Sequence, residues 1–432
     1  MSSIEREGRS SHVAPAVGQI ARGGATSAVV LLTLANFMSM FDRVQLSALL
    51  PPIKQEFGLT DGQLGILTGL AFSLMYASVA LPVAWISDRT NRARLLAAAL
   101  SLWSLMTVLS GLAASYLHLV AARIGLAVGE SAMTPTAHSI LADYYPPHRR
   151  ALPIGIETAG ASFGVFAGLA VAGWAGTHLG WRHALMIAGA PGFVLAVAIV
   201  LLMREPPRSA FSAGKGERAR LKAAVQAVFR APGLPWLILA AVLNSSMTTG
   251  LGQWVPSFFA RTHDMSLAAV GVSVGAALGL GTGFGHVFGG WIFNRLAGRR
   301  ADFPFRYGAL ASLFIVPFYL TALWAPHPVV GLLCIAICNF IAGSFVPMVF
   351  SGVQNVCDPR FRATTGACVL LCTVLGAYGA TPTAIGLLSD ALTPALGVMS
   401  LRGAMTVMAA APLVLAVAHL KIGSRMRQLF AG

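Results

Sequence analysis

The chain has 432 residues, 56% of them hydrophobic and 10% charged, with a net charge of +15 and a mean hydropathy of +0.73. Soluble domains carry about 25% charged residues, so this composition excludes an ordinary soluble protein. The apolar stretches are continuous rather than alternating, which argues against a transmembrane β-barrel and for an all-α membrane protein with many helices.

The first apolar run, 27–50, is long enough to cross a bilayer and contains the stretch SMFDRVQL, with Asp42 and Arg43 side by side in it. Eleven further spans follow at 62–87, 95–115, 118–142, 151–176, 182–203, 235–260, 267–293, 307–325, 329–353, 364–389 and 394–420. Residues 1–26 and 421–432 read as tails. The longest polar interruption, 204–234, reads as a linker with an amphipathic helix from Glu217 to Phe229. It separates two six-helix bundles at 27–203 and 235–420.

With the N-terminus placed inside, 24 of the 30 Lys and Arg residues fall in cytoplasmic segments and four outside, while Arg43 and Arg123 lie within spans. Both termini are therefore expected in the cytoplasm. The positive charge needs no nucleic acid to explain it. No apolar region with a cleavage site precedes the first span, so no signal peptide is expected. Four of the five cysteines form two i, i+4 pairs, Cys334/Cys338 and Cys368/Cys372. No carboxylate or histidine accompanies either pair in its helix, so they read as buried small hydrophobes and not as metal ligands.

The halves repeat. PVAWISDRTNRAR at 82–94 aligns without a gap with FGGWIFNRLAGRR at 288–300, superposing Trp85 on Trp291, Arg89 on Arg295 and Arg94 on Arg300. A two-fold repeat of six spans is the pattern of a transporter whose substrate passes between two halves.

AWISDRTNRAR resembles the loop pattern G-x-x-x-D-R-x-G-R-[KR] of the major facilitator superfamily; Asp88, Arg89 and Arg92 match, and Ala84 and Asn91 replace the glycines. RIGLAVGESAMTP at 123–135 resembles the family's pattern R-x-G-x-G-x-G-E-x-x-x-x-P. Together with DR in the first span, GLTDGQLGIL and ADYYPPHRRA, the set is similar to the Spinster-like branch, which includes lipid exporters. The resemblance implies the major facilitator fold and two bundles related by pseudo-two-fold symmetry. It further implies a conformational gate at the loop motifs, Asp88, Arg89 and Arg92 in the first half and Asn294 and Arg295 in the second. Glu157, six residues into the fifth span, is a further gating candidate expected to pair with arginines of the inner loops.

Charges inside a bilayer cost about 2.5–3.5 kcal/mol each on insertion scales, so they need partners or a wet cavity. Arg123 and Glu130 are seven residues apart and share a helix face. With Asp42 and Arg43 they form one expected network. A carboxylate in low dielectric favours its neutral form and a nearby guanidinium favours the ionised one. Asp42 is therefore expected to carry a hydrogen ion, with Arg43 and Glu130 as its switchable partners. A static ion cluster is the plainer alternative. His138 and His286 read as structural groups.

The second half offers neutral polar groups and aromatics instead. Arg43, Arg123, Glu130, Asn244, Thr248, Trp254, Asn339 and Tyr378 are the substrate-binding candidates. One charged wall facing an apolar wall with hydroxyls suits an amphiphile of the sphingolipid or lysophospholipid class. A carrier of organic or sugar acids is the alternative. An intramembrane enzyme would lack a recognisable motif, and a receptor without transport would be expected to carry an added signalling domain. The expectation is a monomeric, non-enzymatic, proton-coupled secondary transporter of the bacterial inner membrane. Its partners would be protons, the amphiphile and the bilayer, with no nucleic acid, metal or other cofactor.

Overall fold

A computed structural model describes residues 14–87, 89–145, 149, 151–206, 233–297, 302–349 and 362–430. Among the described residues every regular element is helical. Inside a bilayer a single helix satisfies its own backbone, which is why continuous apolar runs become helices. Where they start is set by capping side chains. Thr60 and Gln63 form a reciprocal capping box, and Asn91, Ser115 and Ser266 accept from backbone N–H groups three residues on.

The described helices group into twelve segments. α1 is Ala14–Phe57; α2 is Asp61–Thr68 continued by Leu70–Ser87; α3 is Arg92–Gly111. α4 is Tyr116–Glu130 and, after a break, Met133–Tyr144; α5 is Ala151–His178 and α6 Gly180–Leu202. α7 is built from Leu234–Ser245, Ser246–Gly250, Leu251–Gln253 and Val255–Thr262. α8 joins Leu267–Gly275, Ala276–Leu280 and Gly281–Ala297. α9 is Phe303–Trp324 and α10 Pro328–Gly343. α11 joins Arg362–Thr373, Val374–Ala380 and Thr381–Leu396; α12 joins Ser400–Val407, Met408–Ala410 and Ala411–Phe430.

Among the described residues, ten helices are long and apolar enough to cross a membrane. The count reaches twelve because α4 is split into two shorter pieces and because α11 and α12 run on through a helical turn at Gly397–Met399. Two expected boundaries move. The helix of α1 begins at Ala14 rather than at 27, and α12 continues to Phe430, so neither tail is non-helical over its whole length. The amphipathic helix expected at Glu217–Phe229 lies outside the described residues, as do Asp88 and Cys357.

The apolar core divides by depth instead of following the boundary between bundles. Leu46, Leu49, Leu64, Leu67, Leu169, Ala172 and Trp181, from one half of α1, α2, α5 and α6, pack in one cluster with the second bundle. Leu31, Ala35, Leu96, Leu100, Ala137 and Ile140 form a separate cluster. The bundles are thus fused on the face away from the chain termini, hereafter the far face.

Glycines trace the same gradient. A Cβ on Gly173 of α5 would lie 2.9 Å from the Cα of Gly271 of α8, and one on Gly65 of α2 would lie 2.7 Å from the Pro382 carbonyl of α11. Gly155, Gly290 and Gly366, at the other ends of α5, α8 and α11, would meet nothing within 4 Å. The molecule is closed on the far face and splayed on the termini face. Within the first bundle, Gly160, Gly164 and Gly168 of α5 sit against the Thr33, Phe37 and Phe41 carbonyls of α1.

Candidate functional site

Successive residues on a helix project about 100° apart. Asp42 and Arg43 therefore point in different directions, and this separates their hydrogen-bonding environments. Arg43 points to the bundle interface. Its Nε donates to Glu130 Oε2 at 2.9 Å and Nη2 closes an ion pair with the same oxygen. Its guanidinium lies over the rings of Phe72, at 4.6 Å, and Tyr378 of the second bundle, at 5.4 Å. Arg123 Nη2 donates to the Arg43 carbonyl at 3.0 Å. The seven-residue spacing of Arg123 and Glu130 does aim both at α1. The first piece of α4 ends at Glu130, beside the break at Ser131 and Ala132.

Asp42 faces the interior of the first bundle. It is buried, and neither carboxylate oxygen receives a hydrogen bond from the protein. Arg43 is committed to Glu130, so the expected Asp42–Arg43 pairing does not occur in this conformation. Four charges are gathered as expected, with the ion pair between different members.

A cavity of about 150 Å³ lies between the bundles, lined from α1, α5, α7, α8 and α10. Arg43, Thr248 and Asn339 line it, as expected, together with Ser47, Thr249, Gln253, Thr282 and His286, which the sequence reading had not assigned to binding. The rest of the wall is mainly apolar and small: Met40, Val44, Ala161, Val165, Leu169 and Leu278. Gln253 and His286 were legible as polar residues within apolar spans. Their direction was not, because the second bundle's helices are wound irregularly here. Ser246–Gly250, Ala276–Leu280 and Val374–Ala380 are wide π-turns, a feature frequent at functional sites, and they supply Thr248, Thr249, Leu278, Gly279 and Tyr378.

Other candidates are placed elsewhere. Trp254 is fully buried and its indole donates to the Pro382 carbonyl at 2.9 Å, which ties α7 to α11 and leaves no face for a ligand. Asn244 is buried outside the cavity wall, and Arg123 and Glu130 stand behind Arg43. Tyr378 reaches the site through Arg43.

On the termini face, Arg92 Nε meets Glu205 at 2.6 Å and Nη1 meets Asp143, also at 2.6 Å, while Glu205 accepts from the first backbone N–H groups of α3. All of these groups belong to the first bundle and its edge. Arg89 and Arg295 each lie over the tryptophan four residues earlier, Trp85 at 4.0 Å and Trp291 at 5.5 Å, so the sequence repeat is repeated in contact. Glu157 Oε2 lies 3.6 Å from His138 Nε2, and among the described residues no loop arginine is paired with it. The side chain of Asn294 lies outside those described.

Sequence reasoning missed the cluster that holds the far face shut. Asp390 of α11 accepts from the Asp61 and Gly62 backbone N–H groups at 2.9 and 2.7 Å, capping α2 from the opposite bundle. Asp61 in return accepts from Arg261 of α7 at 2.9 Å, Ser389 of α11 at 2.8 Å and Lys54 of α1 at 2.6 Å. The signal was present as the acid of GLTDGQ and as charged residues at the ends of other spans, Lys54, Arg261 and Asp390, but nothing in one dimension joins residues 61 and 390.

The Major Facilitator Superfamily family model matches residues 32–381. An MFS-type efflux pump of Mycolicibacterium smegmatis is 30% identical over 416 residues, 94% of each chain. A probable L-galactonate transporter of Escherichia coli is 30% identical over 179 residues, 41% of this chain and 39% of that one. Rat protein spinster homolog 1 is 27% identical over 253 residues, 56% of this chain and 47% of that one. A solved bacterial homolog of the human lysosomal transporter Spinster, inward-facing and unoccupied, superposes with a TM-score of 0.80 at 27% identity, over 94% of this chain and 98% of that one.

Proposed function

The chain belongs to the Major Facilitator Superfamily, in its Spinster-like branch, and is thus a multi-pass membrane transporter; from this premise we propose that it moves an amphiphile of the sphingolipid or lysophospholipid class and couples that movement to the proton gradient. The observation that carries the proposal is the central cavity, in which the Arg43 guanidinium is, among the described lining residues, the one permanent charge on a mainly apolar wall. An anionic head group meets Arg43 and the hydroxyl and amide groups of Thr248, Thr249 and Asn339. The cavity is too small for a whole lipid, so in this reading the tail leaves it toward the termini face, where Gly155, Gly290 and Gly366 face open space.

Coupling follows from competition for Arg43. A head group drawing Arg43 from Glu130 leaves two buried carboxylates sharing Arg123, and taking up one hydrogen ion removes the excess negative charge. Asp42 and Glu130 are the hydrogen-ion carriers in this scheme, Arg43 the switch and Arg123 the fixed countercharge. The surplus of Lys and Arg on the termini face favours a cytoplasmic placement of that face and a bacterial inner membrane.

The likeness to a galactonate carrier keeps a second reading, an organic or sugar acid held at Arg43 by its carboxylate. Proteoliposomes with an imposed pH gradient separate the two. Labelled lysophosphatidylethanolamine is expected to accumulate uphill, and Asp42→Asn is expected to abolish the accumulation. Uphill movement of galactonate alone would favour the acid carrier, and full gradient-driven flux in Asp42→Asn would remove Asp42 from the mechanism.

A further inference from the structure

Asp42 and the substrate cavity lie on opposite sides of α1. The central cavity takes Arg43, Val44 and Ser47 from α1. A second, smaller void of about 10 Å³ takes Asp42 and Leu46 from it and is closed by Thr107 and Ser110 of α3, Leu119, Arg123 and Leu126 of α4, and Leu185 of α6. No residue lines both. The void has room for about one water and the polar partners a buried water needs. Both Asp42 oxygens and the Arg123 Nε have no hydrogen-bond partner in the protein. Thr107 and Ser110 spend their protons on the Trp103 and Met106 carbonyls, at 3.0 and 2.8 Å, which leaves their oxygen lone pairs to accept. The charged and titratable groups around Asp42 are Glu130 and Arg123 of α4, with the Trp103 indole of α3 beside it.

The void also lies near the far face. Ser110 is the last residue but one of α3, and Leu119 is in the first turn of α4. We propose that Asp42 exchanges its hydrogen ion with the far face through the interior of the first bundle, past Ser110 and Thr107, and not through the substrate cavity. A hydronium at the far face gives its proton to the water in the void, and that water passes one on to the Asp42 carboxylate, leaving a carboxylic acid and an unchanged water. Hydrogen ion and cargo then use separate routes, and the acid stays loadable from outside while the far face is closed to substrate. This inference rests on the reading of Asp42 as a hydrogen-ion carrier.

Infrared spectroscopy after a rapid pH drop tests it on the purified, full-length protein in detergent, with no substrate added. The carboxylic-acid band that Asp42→Asn removes reports Asp42. The double variant Thr107→Val with Ser110→Ala is expected to slow the rise of that band about tenfold, the effect of a raised barrier, without lowering its final amplitude. Thr107→Ser is expected to keep the native rate, and Leu119→Trp, which fills the void from α4, to slow the band like the double variant. A native rate in both the double variant and Leu119→Trp would overturn the route. Absence of any band sensitive to Asp42→Asn would overturn the carrier reading on which it rests.

Discussion

Arg43 and Glu130 are buried together, and the membrane interior gives neither another full partner. Removing one member of such a pair strands the other, at about 3–5 kcal/mol in soluble proteins, whereas replacing both by apolar groups of similar size is often neutral. Glu130→Leu is therefore expected to lower stability in detergent by that order, and Arg43→Met with Glu130→Leu to recover most of it. Chemical unfolding of Glu130→Leu, Arg43→Met and the double variant checks this, and a loss in the double variant equal to the sum of the two single losses would show that the pair contributes no coupling energy. That these positions needed partners was legible, because four charges interrupt runs that are otherwise apolar. Which charge meets which was not, since the 100° step between Asp42 and Arg43 gains meaning only once the neighbours of α1 are placed.

At the scale of the helix, starts were well marked and irregular turns were not. Thr60, Asn91 and Ser115 are cap residues by type, and they cap as such. The cap that joins the bundles is supplied in trans: Asp390 satisfies the first N–H groups of α2. A cap is worth about 0.5–2 kcal/mol, and here the whole of it favours the form closed at the far face. Asp390→Ala is expected to shift the population toward the form open at that face. A reporter is Thr383→Cys, since the native Thr383 hydroxyl is buried against the Gly65 carbonyl at 3.0 Å. Its maleimide labelling, in a background without the native cysteines, is expected to rise with Asp390→Ala. Unchanged labelling would mean that the cap does not bias the equilibrium. The π-turns of α7, α8 and α11 had no counterpart in the sequence reading, because one inserted residue per turn leaves an apolar pattern apolar.

For the molecule as a whole, transport requires the far-face contacts to part. Gly62 and Leu387 meet there from opposite bundles, a Cβ on Gly62 lying 2.9 Å from Leu387 Cδ2. In a background lacking the five native cysteines, oxidation of the pair Gly62→Cys and Leu387→Cys is expected to stop lysolipid transport, and reduction to restore it. Transport that persisted with the cross-link complete would contradict rocking of the two bundles.

Composition, span length, the 206-residue repeat and the placement of arginines determined by themselves that this is a membrane-embedded helical protein of two related halves with ionisable groups in the first. These properties are sums and periods along one chain, and a bilayer turns them into structure almost directly, since an apolar segment of sufficient length has only helix open to it. Only the tertiary structure decided that Arg43 serves Glu130, that Asp42 faces away from the central cavity, that Trp254 is a packing residue and that the far face is latched through Asp61 and Asp390. Each of those depends on which side of one helix meets which side of another, and residues up to 329 apart in the chain must come within hydrogen-bonding distance before the question has an answer.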